Sequence, residues 1–316
     1  MPEVNFAKNH TIGGNPGKYF VLGIDTEFVG KNAAGEFVYP HQQGMSQERS
    51  ASKDYDYDWH GDGFAWELCL APSHCIDIMM GRALDGKHFL TTQGITSLFG
   101  PALYSVDNSV YAAAPEVVTR LGCARSLNIH GGIEKPILPD GVRTTGCHLH
   151  ISHGDLRRDM VKPLIEWADL LVGNTWTMIS PLPAEEERFR RTAYGRAGEH
   201  RYAPLDEGGI RVEYRTLPGH AAVHMPYLSM MLALYRQACR FVFDGFEAPA
   251  ELVGEAAEAI NNADAKIARR VYRKIAIDPY SRRIINFYRS HPDPLSGCYG
   301  FRDWFKRQRR LSSGKI

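Results

Sequence analysis

Arg211-Val-Glu213-Tyr-Arg215 places three ionisable side chains at alternate positions, with Val212 and Tyr214 between them. Side chains along a β-strand alternate between its two faces, so as a strand this stretch presents Arg211, Glu213 and Arg215 on one side. Such a strand can rest on a hydrophobic core and wall a polar site at once. Two further segments have the same build. Tyr19-Phe-Val-Leu-Gly-Ile, apolar and β-prone, runs into Asp25-Thr-Glu27-Phe, so that both acids share a face. Gly146-Cys-His148-Leu-His150-Ile sets two imidazoles on one face and Cys147, Leu149 and Ile151 on the other. A fourth run, Phe64-Ala-Trp66-Glu67-Leu-Cys-Leu, follows a turn at Asp62-Gly63 and holds one acid among large apolar residues. Burying a carboxylate unpaired costs several kcal/mol, so a cation is expected opposite Glu67.

With 316 residues and 44% hydrophobic content the chain can build a substantial core, as one large domain or two small ones. Its 37 basic and 36 acidic residues leave a formal charge of +1, which excludes a global field for nonspecific nucleic-acid binding. Any charged partner must be met locally. No window approaches the roughly 18 consecutive apolar residues of a membrane-spanning helix, and Met1 to Gly17 has no apolar signal core. A cytoplasmic protein with no membrane partner is expected. The six cysteines are scattered, with no CxxC pair and no zinc spacing, and read as reduced, mostly buried thiols. Cys147 should point away from His148, which disfavours it as a nucleophile.

Along the chain, the polar stretch Gly30 to Gly61 reads as a long loop or flap. Ser73 to Leu90 reads as a helix broken near Gly81, and Asp155 as the N-cap of a helix running to Ile179. Seven arginines between Arg188 and Arg215 form a local cationic zone. From Pro218 onward the pattern is helical, strongest over Val223 to Asp244 and then Glu251 to Ile275. The basic, aromatic end from Arg302 to Arg310 fits a frayed terminal helix as well as a nucleic-acid contact. This divides the chain into a catalytic sheet region, 1–220, and a helical region, 221–316, packed on the same domain.

Asp25, Glu27, Glu67, His148, His150 and Glu213 offer mainly hard oxygen ligands with one or two nitrogens, a set suited to Mg²⁺ or Mn²⁺ rather than to zinc. Arginines facing divalent cations point to a polyanion, with a nucleoside triphosphate as the obvious candidate. There is no GxxxxGK[ST] loop and no strand-GxGxxG-helix unit, so metals and arginines must grip the phosphates. The bland alternative is an interstrand ion-pair network of Glu213 with Arg211 or Arg215; ladder pairs contribute only about 1 kcal/mol and leave the other polar strands unexplained.

These segments, in this order, resemble the carboxylate–amine ligases of the glutamine synthetase and γ-glutamylcysteine ligase superfamily, most closely a phage-borne branch. The motifs are Gly23-Ile-Asp25-Thr-Glu27-Phe, Asp62-Gly-Phe-Ala-Trp-Glu67, Gly146-Cys-His148-Leu-His150 and Arg211-Val-Glu213-Tyr-Arg215. The resemblance implies an α+β fold with a curved antiparallel sheet, ATP and Mg²⁺ as cofactors, and amide formation through an acyl phosphate. It implies that Asp25, Glu27, Glu67, His148 and Glu213 serve the metals, and that Arg196, Arg201, His150 and Arg215 serve ATP. Arg215, Arg211, Glu213 and Arg201 then form the catalytic group. The first strand has Asp-x-Glu where the superfamily has Glu-x-Glu, which implies that the shorter Asp25 reaches metal through water. The partners expected are small-molecule or peptide carboxylates and amines, with nucleic acid and homo-oligomer formation left open. A metal-dependent hydrolase built on the His-x-His pair is the alternative activity. A non-catalytic nucleotide-binding protein is the alternative without one.

Overall fold

The computed structural model describes residues 19–47, 56–120, 126–131, 133–134, 138–206, 208–275, 277 and 279–290. The strands are β1 (Val21–Lys31), β2 (Phe37–Val38), β3 (Tyr57–Asp62), β4 (Ala65–Ser73), β5 (Ser97–Phe99), β6 (Tyr104–Ser105), β7 (Ser126–Asn128), β8 (Ile133–Glu134), β9 (Val142–Arg143), β10 (Gly146–His153), β11 (Glu199–Pro204) and β12 (Ile210–Pro218). The helices are α1 (Ile76–Thr92), α2 (Asn108–Ala113), α3 (Glu116–Thr119), α4 (Val161–Ala168), α5 (Asn174–Ile179), α6 (Ala184–Ala193), α7 (His220–Val223), α8 (Met225–Phe243), α9 (Ala250–Asn262), α10 (Ala265–Lys274) and α11 (Pro279–Ser290).

Alternation along the polar strands decides how they assemble. β3, β4, β1, β10, β12, β11, β7 and β8 lie side by side in that order in a 10-stranded sheet, with β2 and β5 also paired to β1. Its pairings are antiparallel, as in the expected α+β fold of sheet packed with helices. Leu22, Ile24 and Phe28 of β1, Trp66, Leu68 and Leu70 of β4, Leu149 and Ile151 of β10, and Val212 and Tyr214 of β12 are buried on the apolar face. They join one core cluster with Met79 and Leu90 of α1, Leu164 of α4 and Met230 and Leu234 of α8. Each large apolar side chain so buried contributes about 1.5–3 kcal/mol. The polar set is thereby turned to the opposite face, and two register shifts, between Leu22 and Ile24 and between Cys147 and Leu149, adjust its aim.

Several local expectations are corrected. The stretch read as a loop from Gly30 to Gly61 contains β2, a 3₁₀ turn at Pro40–Gln43 and most of β3, which pairs with β4 through a two-residue turn at Gly63 and Phe64. Residues 48–55 of that stretch, and the basic end from Arg302 to Arg310, lie outside the described residues. α1 runs unbroken through Gly81, whose Cα faces open space; one exposed helical glycine costs only about 1 kcal/mol, less than the burial of Met79, Met80, Ala83 and Leu90 contributes. Asp155 does not cap a helix: α4 begins at Val161 after a 3₁₀ turn, and a π turn over Asp169–Gly173 separates it from α5. The helix expected over Glu251 to Ile275 is two helices, divided where Ala263 takes a left-handed conformation and Asp264 caps α10.

Candidate functional site

The register carries the polar side chains across the sheet as a grid. His60 on β3 is the partner of Glu67 on β4, and Glu67 is the partner of Glu27 on β1. Asp25 on β1 is opposite His148 on β10; His150 is opposite Glu213 on β12, and Glu213 is opposite Arg201 on β11. Acids therefore gather toward β3 and guanidinium groups toward β11, with His148 and His150 between.

At the acidic end Glu27 is buried. The Gly146 N–H donates to its Oε2 at 2.8 Å, while Oε1 has no hydrogen-bond partner. A Cβ at Gly146 would stand 2.6 Å from His148 Nε2, so any larger residue there would have to displace that imidazole. Burial raises the Glu27 pKa well above the usual carboxylate range, and the charges of Asp62 and Glu67 raise it further, against the Gly146 N–H and Arg215. Burial and Glu67 likewise push Asp62 up to about 6. Carboxyls whose pKa is raised by burial and by neighbouring acids are a fitting seat for a hard divalent cation, which offsets both. Glu27 and Asp62 fit Mg²⁺ on this ground.

In the middle, His148 Nε2 contacts the Tyr194 hydroxyl and Nδ1 lies 3.4 Å from Glu213 Oε1. Burial, followed by the charge of Arg215, pushes the His148 pKa down to about 3, so the ring is neutral at pH 7. His150 Nε2 lies 3.1 Å from Asp25 Oδ2. Cys147 is on the core face, pointing away from His148 as expected, and burial pushes its thiol up to about 12.

At the cationic end Arg215, 1% exposed, donates from Nη1 to Glu213 Oε1 at 2.7 Å and from Nη2 to the Tyr194 hydroxyl at 2.9 Å. Arg201 Nη1 lies 4.0 Å from Glu213 Oε2. Burial acts to raise the Glu213 pKa, but Arg215, His150, His148 and Arg201 outweigh it and hold the carboxyl down at about 2. The ion pair between Glu213 and Arg215 is thus present, and Glu213 is charge-balanced by arginine as Glu27 is not. Arg211 lines a cleft with Asp25, His150 and Ser152. Arg196 is exposed on the loop after α6.

No family model and no curated protein matches the chain. Solved structures do. A chain of the complex between the prokaryotic ubiquitin-like protein Pup and its ligase PafA is similar at a TM-score of 0.40 and 10% identity, over 85% of this chain and 63% of that one. A bifunctional glutathione synthetase from Pasteurella multocida is similar at a TM-score of 0.37 and 10% identity, over 87% of this chain and 52% of that one. The chain spans less than two-thirds of the length of either. Likeness at this level assigns no activity.

The arginine zone divides. Arg190 and Arg191 are buried and turn to Glu187, with nitrogens 3.2 and 3.3 Å from its Oε2. Arg190 also donates to the Thr216 carbonyl at 2.7 Å and Arg191 to that of Gly195 at 3.3 Å, so this pair braces β12 and the loop after α6. The expected metal set is spread over four strands. Among the described residues, His60, Glu67 and Cys69 bring ligand atoms within 4.8 Å of one another, and of these only Glu67 was in that set. The cation opposite Glu67 is His60: its Nε2 lies 2.8 Å from Glu67 Oε2. Burial lowers the His60 pKa, but the hydrogen bond and charge of Glu67, with Asp58 and Asp25, leave it raised. His60 and Asp62 had a signal, the alternation Asp58-Trp-His60-Gly-Asp62, hidden in a stretch rich in loop formers. Tyr194 had none, since it follows α6 and reaches His148 and Arg215 only through the fold.

Proposed function

We propose that this chain is an ATP-dependent carboxylate–amine ligase that forms an amide through an acyl phosphate. The observation that supports this reading is the polarity of one sheet face. Glu27 and Asp62 at one end hold more negative charge than their surroundings offset, while Arg215 and Arg201 stand at the other. Mg²⁺ bound at the acids would supply a Lewis acid and charge neutralisation for the triphosphate. The remaining work falls to the chain. Arg215, its fork held by Glu213 and Tyr194, is pre-aligned for the oxygens of the phosphoryl group that passes to the substrate carboxylate. Arg201 and Arg211 lie on the same face to meet the phosphates or the substrate carboxylate. His148, held neutral, adds no charge and fixes Tyr194, which positions Arg215. A carboxylate oxygen bonds to the γ-phosphorus as ADP leaves. The amine nitrogen then bonds to the acyl carbon, phosphate leaves, and the nitrogen releases its proton.

The test is incubation with ATP, Mg²⁺, hydroxylamine and pooled amino-acid and dicarboxylate substrates, with and without EDTA. Carboxylate-dependent, EDTA-sensitive hydroxamate together with ADP is the expected result, and it names the acid substrate. Absence of both products, together with failure to bind ATP in the presence of Mg²⁺, overturns the proposal in favour of a metal-dependent hydrolase.

A further inference from the structure

The paired positions of β3 and β4 place a second kind of donor set beside the carboxylates. Asp58 is the partner of Cys69, and His60 is the partner of Glu67. Side chains at these four positions project from one face, Cys69 two residues from Glu67 and Asp58 two from His60. Ligand atoms of His60, Glu67 and Cys69 all lie within 4.8 Å of one another. Ligands around a four-coordinate zinc, here three from the chain and a water as the fourth, lie about 2.0–2.3 Å from the metal and roughly 3.3–3.8 Å apart, so side-chain adjustments of about an ångström would close the set. His60 Nε2 and Glu67 Oε2, hydrogen-bonded at 2.8 Å, would part to that spacing as the metal replaces the proton between them. The other ring nitrogen, Nδ1, is buried without a hydrogen-bond partner and faces Asp58 Oδ2 at 3.8 Å. At 3.8 Å the two are not hydrogen-bonded, but a small rotation of Asp58 would let it accept from that nitrogen, as carboxylates do that orient metal-bound histidines.

We propose that His60, Glu67 and Cys69 form a binding site for a thiophilic divalent ion such as Zn²⁺, with Asp58 orienting His60. Its donor chemistry differs from that of Glu27 and Asp62: a thiolate and an imidazole select a borderline-soft ion, whereas oxygens alone suit Mg²⁺. The sequence conceals it, because the three ligands come from two strands and have no CxxC or Cys-His spacing. The inference does not depend on the ligase reading.

The experiment uses the full chain, stripped of metal by chelation, and titrates it with Co²⁺ in the presence of excess Mg²⁺ while recording the absorption spectrum. One equivalent is expected to produce a sulfur-to-cobalt charge-transfer band with the intense d–d absorption of a four-coordinate ion, and Zn²⁺ is expected to erase both. Cys69→Ser should remove the charge-transfer band. Asp58→Asn should keep it while weakening affinity about 10- to 100-fold. Should Cys69→Ser fail to fold by circular dichroism, His60→Gln replaces it and should lose the four-coordinate d–d signature. A spectrum of octahedral oxygen coordination, displacement of Co²⁺ by Mg²⁺, or a charge-transfer band that survives in a folded Cys69→Ser protein overturns the proposal.

Discussion

Asp62 and His148 lie on the same sheet face and are perturbed in opposite senses, which separates their consequences. Asp62, pushed up to about 6, retains a proton that a cation must expel. Mg²⁺ added to metal-free protein near pH 6 in weak buffer should therefore release protons, measurably by a pH indicator, and Glu27→Gln should reduce the release. His148 is pushed down to about 3 from an unfolded value of about 6.5. Between those values the unfolded chain binds a proton that the folded chain refuses, so this group's contribution to stability falls as pH drops from 6.5 toward 3. His148→Gln should accordingly show a shallower decline of its urea midpoint over that window than the unsubstituted protein. At Arg215 the fork to Glu213 and Tyr194 is what lysine cannot reproduce. Under the ligase reading, Arg215→Lys should lower kcat by about 10²–10³, the scale of losing one pre-aligned transition-state donor, in the hydroxamate assay. Asp25, Glu27, His148, His150, Arg211 and Glu213 were legible because a period of two is written directly into the chain. Tyr194 was not, since its role exists only after α6 and β12 are brought together.

At the scale of elements, legibility followed the contrast between faces. β1, β4, β10 and β12 alternate sharply between core and site, and each was expected near where it lies. β3 escaped because Tyr57-Asp-Trp-His-Gly-Asp is short and polar and is read with the stretch before it, yet Trp59 anchors it by donating from Nε1 to the Gly86 carbonyl at 2.9 Å. The break between α9 and α10 escaped for a different reason: no glycine or proline marks it. Ala263 has φ +49°, a left-handed conformation that costs a residue with a Cβ about 1–2 kcal/mol, and it is tolerated because Asp264 accepts from Lys266 N at 2.7 Å and Ile267 N at 3.1 Å. Ala263→Gly should raise the unfolding free energy by about 0.5–1 kcal/mol, less than the strain relieved because glycine also loosens the unfolded chain. Asp264→Ala should lower it by about 1 kcal/mol. Urea denaturation measures both, and a destabilising Ala263→Gly would contradict the strain assigned to this turn.

For the molecule as a whole, the question is whether the helices after His220 stand apart from the sheet. One core cluster contains Leu22 and Val212 of the sheet together with Met230, Val253 and Val271 of those helices. Polar ties cross the same boundary. Tyr235 donates to the Val212 carbonyl at 3.2 Å, Asn174 to that of Ala268 at 3.0 Å, and Asn261 accepts from the Ala197 N–H at 2.9 Å. The last of these matters for the site, because Ala197 belongs to the loop that carries Tyr194 and Arg196 into β11. Helices that share a core with the sheet and pin its functional loop cannot melt without exposing both. Heating should therefore give one calorimetric transition over the described residues, not a helical event followed by a sheet event. A ligand gripped on the sheet should then stabilise the helices equally. Under the ligase reading, MgATP at about 100 times its dissociation constant should add about 2.7 kcal/mol to unfolding as seen by helical circular dichroism and by tryptophan fluorescence alike. Two separate transitions, or a shift confined to one probe, would show that the C-terminal helices fold as a unit of their own.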